Sequence, residues 1–224
     1  MKKLRPPSTS PSRPKTLFTG NCMAAARDRL IIFGRYPVPG KTKTRLIPAL
    51  GPVGAANLQR RLTEKTLLTA KKFAARHKAV IECCFEGGTP RKVKDWLGSI
   101  SNLSFQQAGD LGRRIRSALF DALNEGNKRV VLVGTDIPGI TVEIIEQAFA
   151  ALHNHDVVLG PSTDGGFWLM GLKRPVDVFE GVDWGSPRVL AQTLALARKM
   201  GLAVCLLEFL WDVDTPEDVK KWRV

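Results

Sequence analysis

The segment RVVLVGTD, residues 129–136, is an apolar run rich in β-branched side chains that ends in Gly-Thr-Asp. Such a run, bounded by turn residues, is typical of a strand buried inside a sheet. A helical pattern begins a few residues later, near Thr141. A strand followed closely by a helix is the repeating unit of parallel sheets with helices on both faces. The segment therefore predicts an α/β fold with Asp136 at the carboxyl end of a buried strand.

The same alternation extends from this segment toward both ends of the chain. Further strands are predicted at 29–35, 79–85, 103–107, 156–161, 166–172 and 203–210, and helices at about 52–76, 89–97, 111–123, 186–200 and 215–222. The link between 156–161 and 166–172 is too short for a crossover helix, so these two strands are expected to run antiparallel. The prediction is an α/β three-layer sandwich with a mostly parallel, mixed sheet.

A polar residue followed by proline marks the start of three of these helices. The pairs are Thr89-Pro90, Ser186-Pro187 and Thr215-Pro216. A Thr or Ser side chain can accept a hydrogen bond from the first helical turn, and Pro fits the first helical position because an N–H would be unpaired there. We expect the three pairs to cap their helices.

The composition is that of a globular protein with unevenly distributed charge. The chain has 224 residues, of which 44% are hydrophobic and 25% charged, and its formal net charge is +13. We expect residues 1–28, rich in Pro, Ser and basic side chains, to form a disordered basic tail, and residues 29–224 to form a single domain. The alternative for the tail is an over-extended gene start, because the sequence from Met23 would also be a natural beginning.

Several classes of protein are disfavoured by the sequence. Nothing in it has the length of a membrane span and the amino terminus lacks the apolar run of a secretory signal, so we expect a cytoplasmic protein. Cys83, Cys84 and Cys205 lie in apolar runs without Cys-x-x-Cys spacing, which favours reduced thiols. The positive charge suits an anionic small molecule as well as nucleic acid. With one Tyr and no recognised nucleic-acid motif, nucleic-acid binding is the less favoured alternative.

Residues 34–46, GRYPVPGKTKTRL, resemble a phosphate-binding P-loop but cannot form one. A P-loop has four residues between its glycines and curls consecutive backbone N–H groups around phosphate. Here five residues separate Gly34 from Gly40, and two of them are prolines, which have no N–H. If this loop binds phosphate, it must use side chains, namely Arg35, Lys41, Lys43 and Arg45.

Charged side chains follow most of the predicted strands, and in open α/β sheets ligands bind beyond the carboxyl ends of the strands. These positions are the basic loop after the first strand, Asp110 at a helix start, Asp136, Asp164 with Gly165 and Gly166, and Asp212 and Asp214 after the last strand. Carboxylates hold divalent cations that clamp phosphates, and basic side chains neutralise the charge on a leaving group. Together they predict a site for transfer from a nucleoside di- or triphosphate.

Each of these positions also has a simpler explanation. Asp136 could cap the helix that follows it, and Asp214 precedes a helix for which Thr215 is the expected cap. The basic loop could be a solvated surface. The functional interpretation rests on the joint placement of these side chains at one edge of the sheet.

Six segments resemble successive motifs of a bacterial glycosyltransferase-like family related to the 2-phospholactate and molybdenum-cofactor guanylyltransferases. They are FGRYPVPGKTKTRL, QQAGDLGRRI, VVLVGTDIPGI, VLGPSTDGGFWLMGL, DWGSPRVLAQTL and LWDVDTPEDV, and the resemblance covers residues 30–222 in order. Some members of that family are described as arsenosugar-biosynthesis glycosyltransferases. The resemblance implies a nucleotide-diphospho-sugar transferase (glycosyltransferase type A-like) fold.

The resemblance also implies roles for individual residues. Mg²⁺ or Mn²⁺ would be held by Asp136 and Asp214. The nucleotide and its phosphates would be bound by Arg35, Gly40, Lys43, Arg45, Asp110 and Gly112, and the acceptor by Asp164, Gly165, Gly166 and Trp184. The catalytic residues would be Asp136, Asp164, Lys43 and Arg45.

Two features depart from the patterns of such relatives. The Gly-Gly-x-Gly-x-Arg loop of nucleotidyltransferases is absent, and Pro138 stands where the Asp-x-Asp pair of glycosyltransferases has its second Asp. The leading hypothesis is a metal-dependent glycosyltransferase that moves a sugar from a nucleotide sugar to a small acceptor. The alternative is a guanylyltransferase-like nucleotidyltransferase that joins a nucleoside triphosphate to a phosphorylated small molecule. A catalytically silent regulatory homologue is a third hypothesis.

Overall fold

The computed structural model describes residues 27–98 and 100–222. Within these ranges seven strands, β1 to β7, are formed by Asp28–Arg35, Val80–Glu86, Leu103–Phe105, Arg129–Gly134, Val157–Pro161, Phe167–Leu172 and Val204–Leu206. Six α-helices, α1 to α6, are formed by Ile47–His77, Pro90–Leu97, Leu111–Asn124, Val142–Ala151, Val189–Lys199 and Pro216–Trp222, and a 3₁₀ helix at Thr44–Leu46 precedes α1. Of the predicted basic tail, residues 1–26 lie outside the described ranges, and Asp28 belongs to β1.

The strands form one mixed sheet in the order β3-β2-β1-β4-β6-β5-β7. β1 pairs in parallel with both β2 and β4, whereas β6 is antiparallel to its neighbours β4 and β5, as predicted for the short link between β5 and β6. The chain passes from β1 to β2 on one side and later returns to β4 on the other. The space beyond the carboxyl ends of β1 and β4 is therefore a topological switch point, where ligands bind in sheets of this kind.

Alternating strand residues fill two cores, one on each face of the sheet. In β1, Leu30 and Ile32 share a core with residues of α1, α2 and α4, whereas Ile31 and Phe33 share the other with residues of α3 and α5. Strands that are buried on both faces need apolar side chains at consecutive positions, which is the pattern read from the sequence. The predicted three-layer α/β sandwich is confirmed.

Helix α1 is interrupted once, at Gly51, whose φ of 69° and ψ of 166° are not helical. Glycine adopts such a φ without the steric penalty of a side chain. Pro52 follows, so the regular helix begins where the sequence predicted. Before the break, Leu46 is buried in one cluster with Ala55 and Leu58 of α1, and this contact anchors the end of the basic loop.

Helix α5 begins later than predicted, because Ser186 and Pro187 do not cap it. The residue before the helix is Arg188, and it makes no side-chain capping bond. The Oγ of Ser186 instead accepts the N–H of Arg188 in a turn. The N–H of Leu190, in the first turn of α5, donates to the carbonyl of Gly165. A backbone carbonyl from another segment thus satisfies a donor that a cap would otherwise serve.

Strand β7 is shorter than the predicted strand at 203–210. Its neighbour β5 ends at Pro161, which has no N–H to donate to the ladder. The N–H groups of Leu207 and Leu210 still donate to carbonyls of β5, so the chain stays beside the sheet without regular pairing.

No helix within the described ranges is both long and apolar enough to cross a bilayer. Cys83 and Cys84 are buried and unpaired in β2, and Cys205 is partly buried and unpaired in β7. Burial raises the pKa of Cys83 to about 12 and that of Cys84 to about 11. The thiols of β2 are therefore protonated and unreactive near neutral pH.

Candidate active site

A cleft of about 700 Å³ opens beyond the carboxyl ends of β1 and β4. Its lining comes from these two strands, from the basic loop, from the turn between β5 and β6, and from the segments before α5 and after β7. The cleft lies at the switch point of the sheet, where the strand order predicts a ligand.

Lys43 joins the two aspartates that the sequence suggested as metal ligands. Its Nζ lies 3.3 Å from Oδ2 of Asp136 and 3.1 Å from Oδ1 of Asp214, and it donates to the carbonyl of Val213 at 2.7 Å. The Lys43 side chain is 3% exposed, whereas those of Asp136 and Asp214 are 40% and 39% exposed. The ammonium group is therefore enclosed by carboxylates that still face the cleft.

Neither of these aspartates caps a helix through its side chain. The side chain of Thr141 caps α4. At α6, Thr215 accepts the N–H of Asp218, and the Asp218 carboxylate accepts the N–H groups of Thr215 and Asp214. The predicted cap at Thr215 is confirmed, and the capping explanation for Asp136 is wrong. Both carboxylates are left to interact with Lys43.

Gln59 of α1 orients the Asp136 carboxylate. Its Nε2 donates to Oδ1 of Asp136 and to Oγ1 of Thr135, both at 2.9 Å, and the side chain is buried. The sequence analysis did not single out Gln59. A signal was present, because Gln59 follows Leu58 on the face of α1 that points to the core. A polar residue buried there needs a hydrogen-bond partner.

The basic loop uses backbone groups for its own structure. The N–H groups of Lys41 and Thr42 donate to the carbonyl of Val38, and the N–H of Val38 donates to the buried Oγ1 of Thr42. These N–H groups cannot also bind a phosphate. This agrees with the inference, drawn from the two prolines, that the loop does not bind phosphate through its backbone. Gly40 has a φ of 79° and open space where a side chain would be, so it permits the turn.

The two arginines of the loop differ in their surroundings. Arg45 is 80% exposed, and its guanidinium lies 4.0 Å from Asp214. Arg35 instead donates through Nε to Glu86 at 2.7 Å, and Arg114 lies 3.1 Å from the same carboxylate. Burial alone would raise the pKa of Glu86, but the hydrogen bonds and charges of Arg35 and Arg114 outweigh it and lower that pKa. Arg35 therefore meets the cleft as part of an ion-pair cluster.

A second group of carboxylates lies at the turn between β5 and β6. Asp164 accepts the N–H of Gly166 at 2.8 Å, and Asp212 accepts the Oγ–H of Ser162 at 3.0 Å. Burial, followed by the negative charge of Asp164, raises the pKa of Asp212, against the hydrogen bond from Ser162. These groups form a polar wall of the cleft.

Gly165 supports that wall but does not itself line the cleft. Its φ is 88°, and a Cβ atom there would collide with the backbone carbonyl of Pro187. Its own carbonyl accepts the N–H of Leu190 in α5. Glycine is needed for both the φ and the close approach, so Gly165 fixes the turn against the segment before α5.

Trp184 forms another part of the wall and packs directly on Gly112 of α3, where a Cβ atom would overlap the indole ring. The Nε1 of Trp184 donates to the carbonyl of Phe179 at 3.3 Å. Asp110 caps α3 by accepting the N–H of Arg113 at 2.8 Å. Asp110 thus caps the start of α3, and Trp184, packed on Gly112, is among the residues that line the cleft.

The cleft brings together most of the residues that the sequence suggested for the site: Arg35, Lys43, Arg45, Asp136, Asp164, Gly166, Trp184 and Asp214. Five others do not line it: Gly40, Lys41, Asp110, Gly112 and Gly165. Asp212, which the sequence placed at the same edge, also lines the cleft, as do five polar residues that the sequence analysis did not name: Gln59, Glu86, Gln106, Arg114 and Ser162. Among residues 27–98 and 100–222, no three or more His, Cys, Asp or Glu side chains are grouped to hold a metal ion.

Comparison with known proteins identifies a family and a fold. The model of the family described as "Uncharacterized protein conserved in bacteria (DUF2064)" matches residues 69–186. A candidate nucleotide-diphospho-sugar transferase from Desulfovibrio desulfuricans G20 is 36% identical, with a TM-score of 0.81 over 88% of this chain and 86% of that chain. No match was found among curated proteins.

More distant solved structures share the fold. The 4-diphosphocytidyl-2C-methyl-D-erythritol synthase from Anaerococcus prevotii DSM 20548 is 13% identical, with a TM-score of 0.58 over 88% of this chain and 94% of that chain. Rv0371c of Mycobacterium tuberculosis H37Rv, in complex with manganese, is 14% identical, with a TM-score of 0.51 over 88% and 97%. The predicted nucleotide-diphospho-sugar transferase fold is confirmed. The relation to 2-phospholactate and molybdenum-cofactor guanylyltransferases stays a prediction.

Proposed function

The chain belongs to the DUF2064 family of bacterial proteins, and on that premise we propose that it is a transferase that moves a sugar from a nucleotide sugar to a small acceptor. The observation that carries the proposal is the convergence of Lys43, Asp136 and Asp214 in one cleft at the switch point of the sheet. The 36% identity to a candidate nucleotide-diphospho-sugar transferase supports the same class of reaction.

The basic side chains serve the phosphates of the donor. In sugar transfer, a hydroxyl group of the acceptor attacks the anomeric carbon, and the bond from that carbon to the diphosphate breaks. The electron pair leaves with the nucleoside diphosphate, which gains negative charge. Lys43 and Arg45 line the cleft and stabilise that charge, because fixed cations near a developing anion lower the barrier.

A divalent cation, Mg²⁺ or Mn²⁺, fits the donor chemistry of the cleft. Asp136 and Asp214 converge on one positive charge, the Lys43 ammonium, and both carboxylates remain about 40% exposed. Mg²⁺ is commonly bound by one or two carboxylates, with waters and substrate phosphates as its other ligands, so a third protein ligand is not required. When bound, the cation would add charge neutralisation at the diphosphate.

The turn between β5 and β6 suits the acceptor. Asp164 is oriented by the N–H of Gly166 and takes the proton of the attacking hydroxyl group. Trp184 lines the same cleft, and binding sites for small molecules commonly combine aromatic side chains with a few oriented polar groups.

Nucleotidyl transfer is the second candidate. The cleft is lined by four basic side chains, Arg35, Lys43, Arg45 and Arg114, and this much positive charge also suits a nucleoside triphosphate. A phosphorylated substrate would then attack the α-phosphate, and pyrophosphate would leave. Against this candidate, the basic loop lacks the free backbone donors of a glycine-rich phosphate loop.

A thermal-shift screen followed by a product assay tests the proposal. Nucleotides and nucleotide sugars of each base are added with and without Mn²⁺, and a ligand at 100 times its Kd should add about 2.7 kcal/mol of stability. We expect a nucleotide sugar to stabilise the protein more than the matching nucleoside does and to release nucleoside diphosphate on turnover. Pyrophosphate release from a nucleoside triphosphate would support nucleotidyl transfer. No stabilisation by any nucleotide would contradict both reactions.

A further inference from the structure

The protein places its own cation between Asp136 and Asp214. The Lys43 ammonium is within 3.3 Å of both carboxylates and bonds to the Val213 carbonyl as well, so its polar contacts are all made inside the protein. At 3% exposure the Lys43 side chain is almost inaccessible to solvent, whereas the two carboxylates are about 40% exposed. A divalent cation that binds the same two oxygens, Oδ2 of Asp136 and Oδ1 of Asp214, has to displace this ammonium.

The backbone at Lys43 is in an unusual conformation. Among the described residues two non-glycine residues have positive φ, Lys43 at 47° and Lys78 at 53°. Lys78 follows the last residue of α1, where a left-handed residue is common. Lys43 instead precedes a 3₁₀ helix within the basic loop. Strain at such a position persists when surrounding contacts hold it, and it is typical of residues that change their contacts during function.

The cleft offers the Lys43 ammonium a second place to bind. Thr44 and Arg45, the next two residues, line the same cleft, and Arg45 is 80% exposed. A lysine has a flexible four-carbon stem and a compact charge that binds phosphate without demanding one geometry. A diphosphate in the cleft therefore offers the ammonium a partner that replaces the two carboxylates.

We propose that Lys43 is an internal counter-cation. Its ammonium occupies the position between Asp136 and Asp214 and leaves it only when a divalent cation and a diphosphate bind together. The lysine then neutralises phosphate charge and the divalent cation neutralises the carboxylates. The inference rests on the proposed function for the diphosphate. It assigns Lys43 a role that a fixed phosphate ligand would not have, namely to prevent the site from holding a free metal ion.

Binding of Mn²⁺ alone separates the two roles. Metal-free parent protein and Lys43→Met are titrated with Mn²⁺, and free Mn²⁺ is followed by its electron paramagnetic resonance signal. Removal of one positive charge a few ångströms from the site should strengthen binding of Mn²⁺ alone by at least about tenfold. Arg45→Met is the matched control. It removes a charge from the same loop, but an exposed one at 4.0 Å from Asp214, and should change Mn²⁺ affinity much less.

Inorganic pyrophosphate is the second probe, because it carries the diphosphate chemistry without a base or sugar. In the parent, pyrophosphate should raise the apparent Mn²⁺ affinity more than it does in Lys43→Met, where the position is already free. Unchanged or weaker Mn²⁺ binding by Lys43→Met would overturn the proposal and indicate a fixed structural ion pair. If Lys43→Met does not fold, Lys43→Gln, which is neutral and keeps a polar side chain, takes its place in both titrations.

Failure of this inference and failure of the sugar-transfer proposal give different results. Tighter Mn²⁺ binding by the variant, together with no response of the parent to any nucleotide sugar or nucleoside triphosphate, would keep the counter-cation and reject the transferase. Nucleotide binding by the parent without any gain of Mn²⁺ binding in the variant would support the transferase and reject the counter-cation role of Lys43.

Discussion

The amide Nε2 of Gln59 lies 2.9 Å from Oδ1 of Asp136, although 77 positions separate the two residues in the sequence. This bond connects α1 to the carboxyl end of β4. The other oxygen of Asp136 lies 3.3 Å from the Lys43 ammonium. One donor on a helix and one on a loop thus fix the direction in which this carboxylate faces the cleft.

Gln59→Leu removes the helix donor and keeps the apolar volume. The hydroxyl of Thr135 then loses a partner as well, so we expect the free energy of unfolding to fall by about 1–3 kcal/mol. We also expect weaker nucleotide binding, because the carboxylate is no longer held in one orientation. Urea unfolding and calorimetric titration measure the two effects. Gln107→Leu, on the exposed surface outside the cleft, is the control and should stay within about 0.5 kcal/mol of the parent.

Asp136→Asn keeps the shape of the side chain and its bond from Gln59 but removes its charge. We expect nucleotide binding to lose its stimulation by Mn²⁺, because a divalent cation needs anionic oxygen ligands. Stability should change by no more than about 1 kcal/mol, since the pair with Lys43 is partly exposed on the Asp136 side. Titration of nucleotide with and without Mn²⁺ is the measurement. Asp177→Asn, in an exposed pair with Arg116, controls for the loss of a charge, and a parent-like response of Asp136→Asn would remove Asp136 from the metal site.

Gly165→Ala and Gly40→Ala compare two glycines with similar backbone angles, φ of 88° and 79°. Alanine at Gly40 meets open space, so its effect should be the backbone strain alone, about 1–2 kcal/mol. Alanine at Gly165 must in addition displace the backbone of Pro187, which should add about 1–3 kcal/mol. Urea unfolding of both variants gives the difference. Equal destabilisation would show that the segment before α5 moves away from the added methyl group at little cost in free energy.

Glu86→Gln tests the ion-pair cluster through pH. The pKa of Glu86 is lowered from its ordinary 4.5 in the folded protein, so the charged carboxylate stabilises the fold above that pH. The contribution is lost as pH falls below 4.5 through the folded pKa. We expect the variant to be less stable than the parent by about 0.5–1 kcal/mol at neutral pH, and the difference to shrink in acid. A difference that does not depend on pH would mean that Arg35 and Arg114 do not favour the charged form.

Much of the fold was predictable because its signals are local. The apolar run 129–136 and the caps at Thr89 and Thr215 specify their elements within a few residues, and the structure has them where they were expected. The cap at Ser186 failed because a tertiary contact took its place. The carbonyl of Gly165, 25 positions before Leu190 in the sequence, accepts an N–H of the first turn of α5.

The candidate site was predictable as a set of positions and not as a set of contacts. Lys43, Asp136 and Asp214 were assigned to phosphate and metal separately. Their ion pairs join side chains from three distant segments. The pairs also depend on a left-handed backbone at Lys43, which a lysine in the sequence does not predict. Gln59 carried a weak signal as a polar residue on a buried helix face, but its partner could not be read from the helix.

The reversed direction of β6 limits how the turn between β5 and β6 can change during evolution. The turn that carries Asp164 is a tight reversal, closed by bonds between Ser162 and residues 165 and 166 and held against α5 through Gly165. An inserted residue would break these bonds and pull the turn away from Pro187. If the turn binds the acceptor as proposed, relatives with other acceptors are expected to differ here by exchange of side chains at positions 163 and 164, with the length of the turn unchanged.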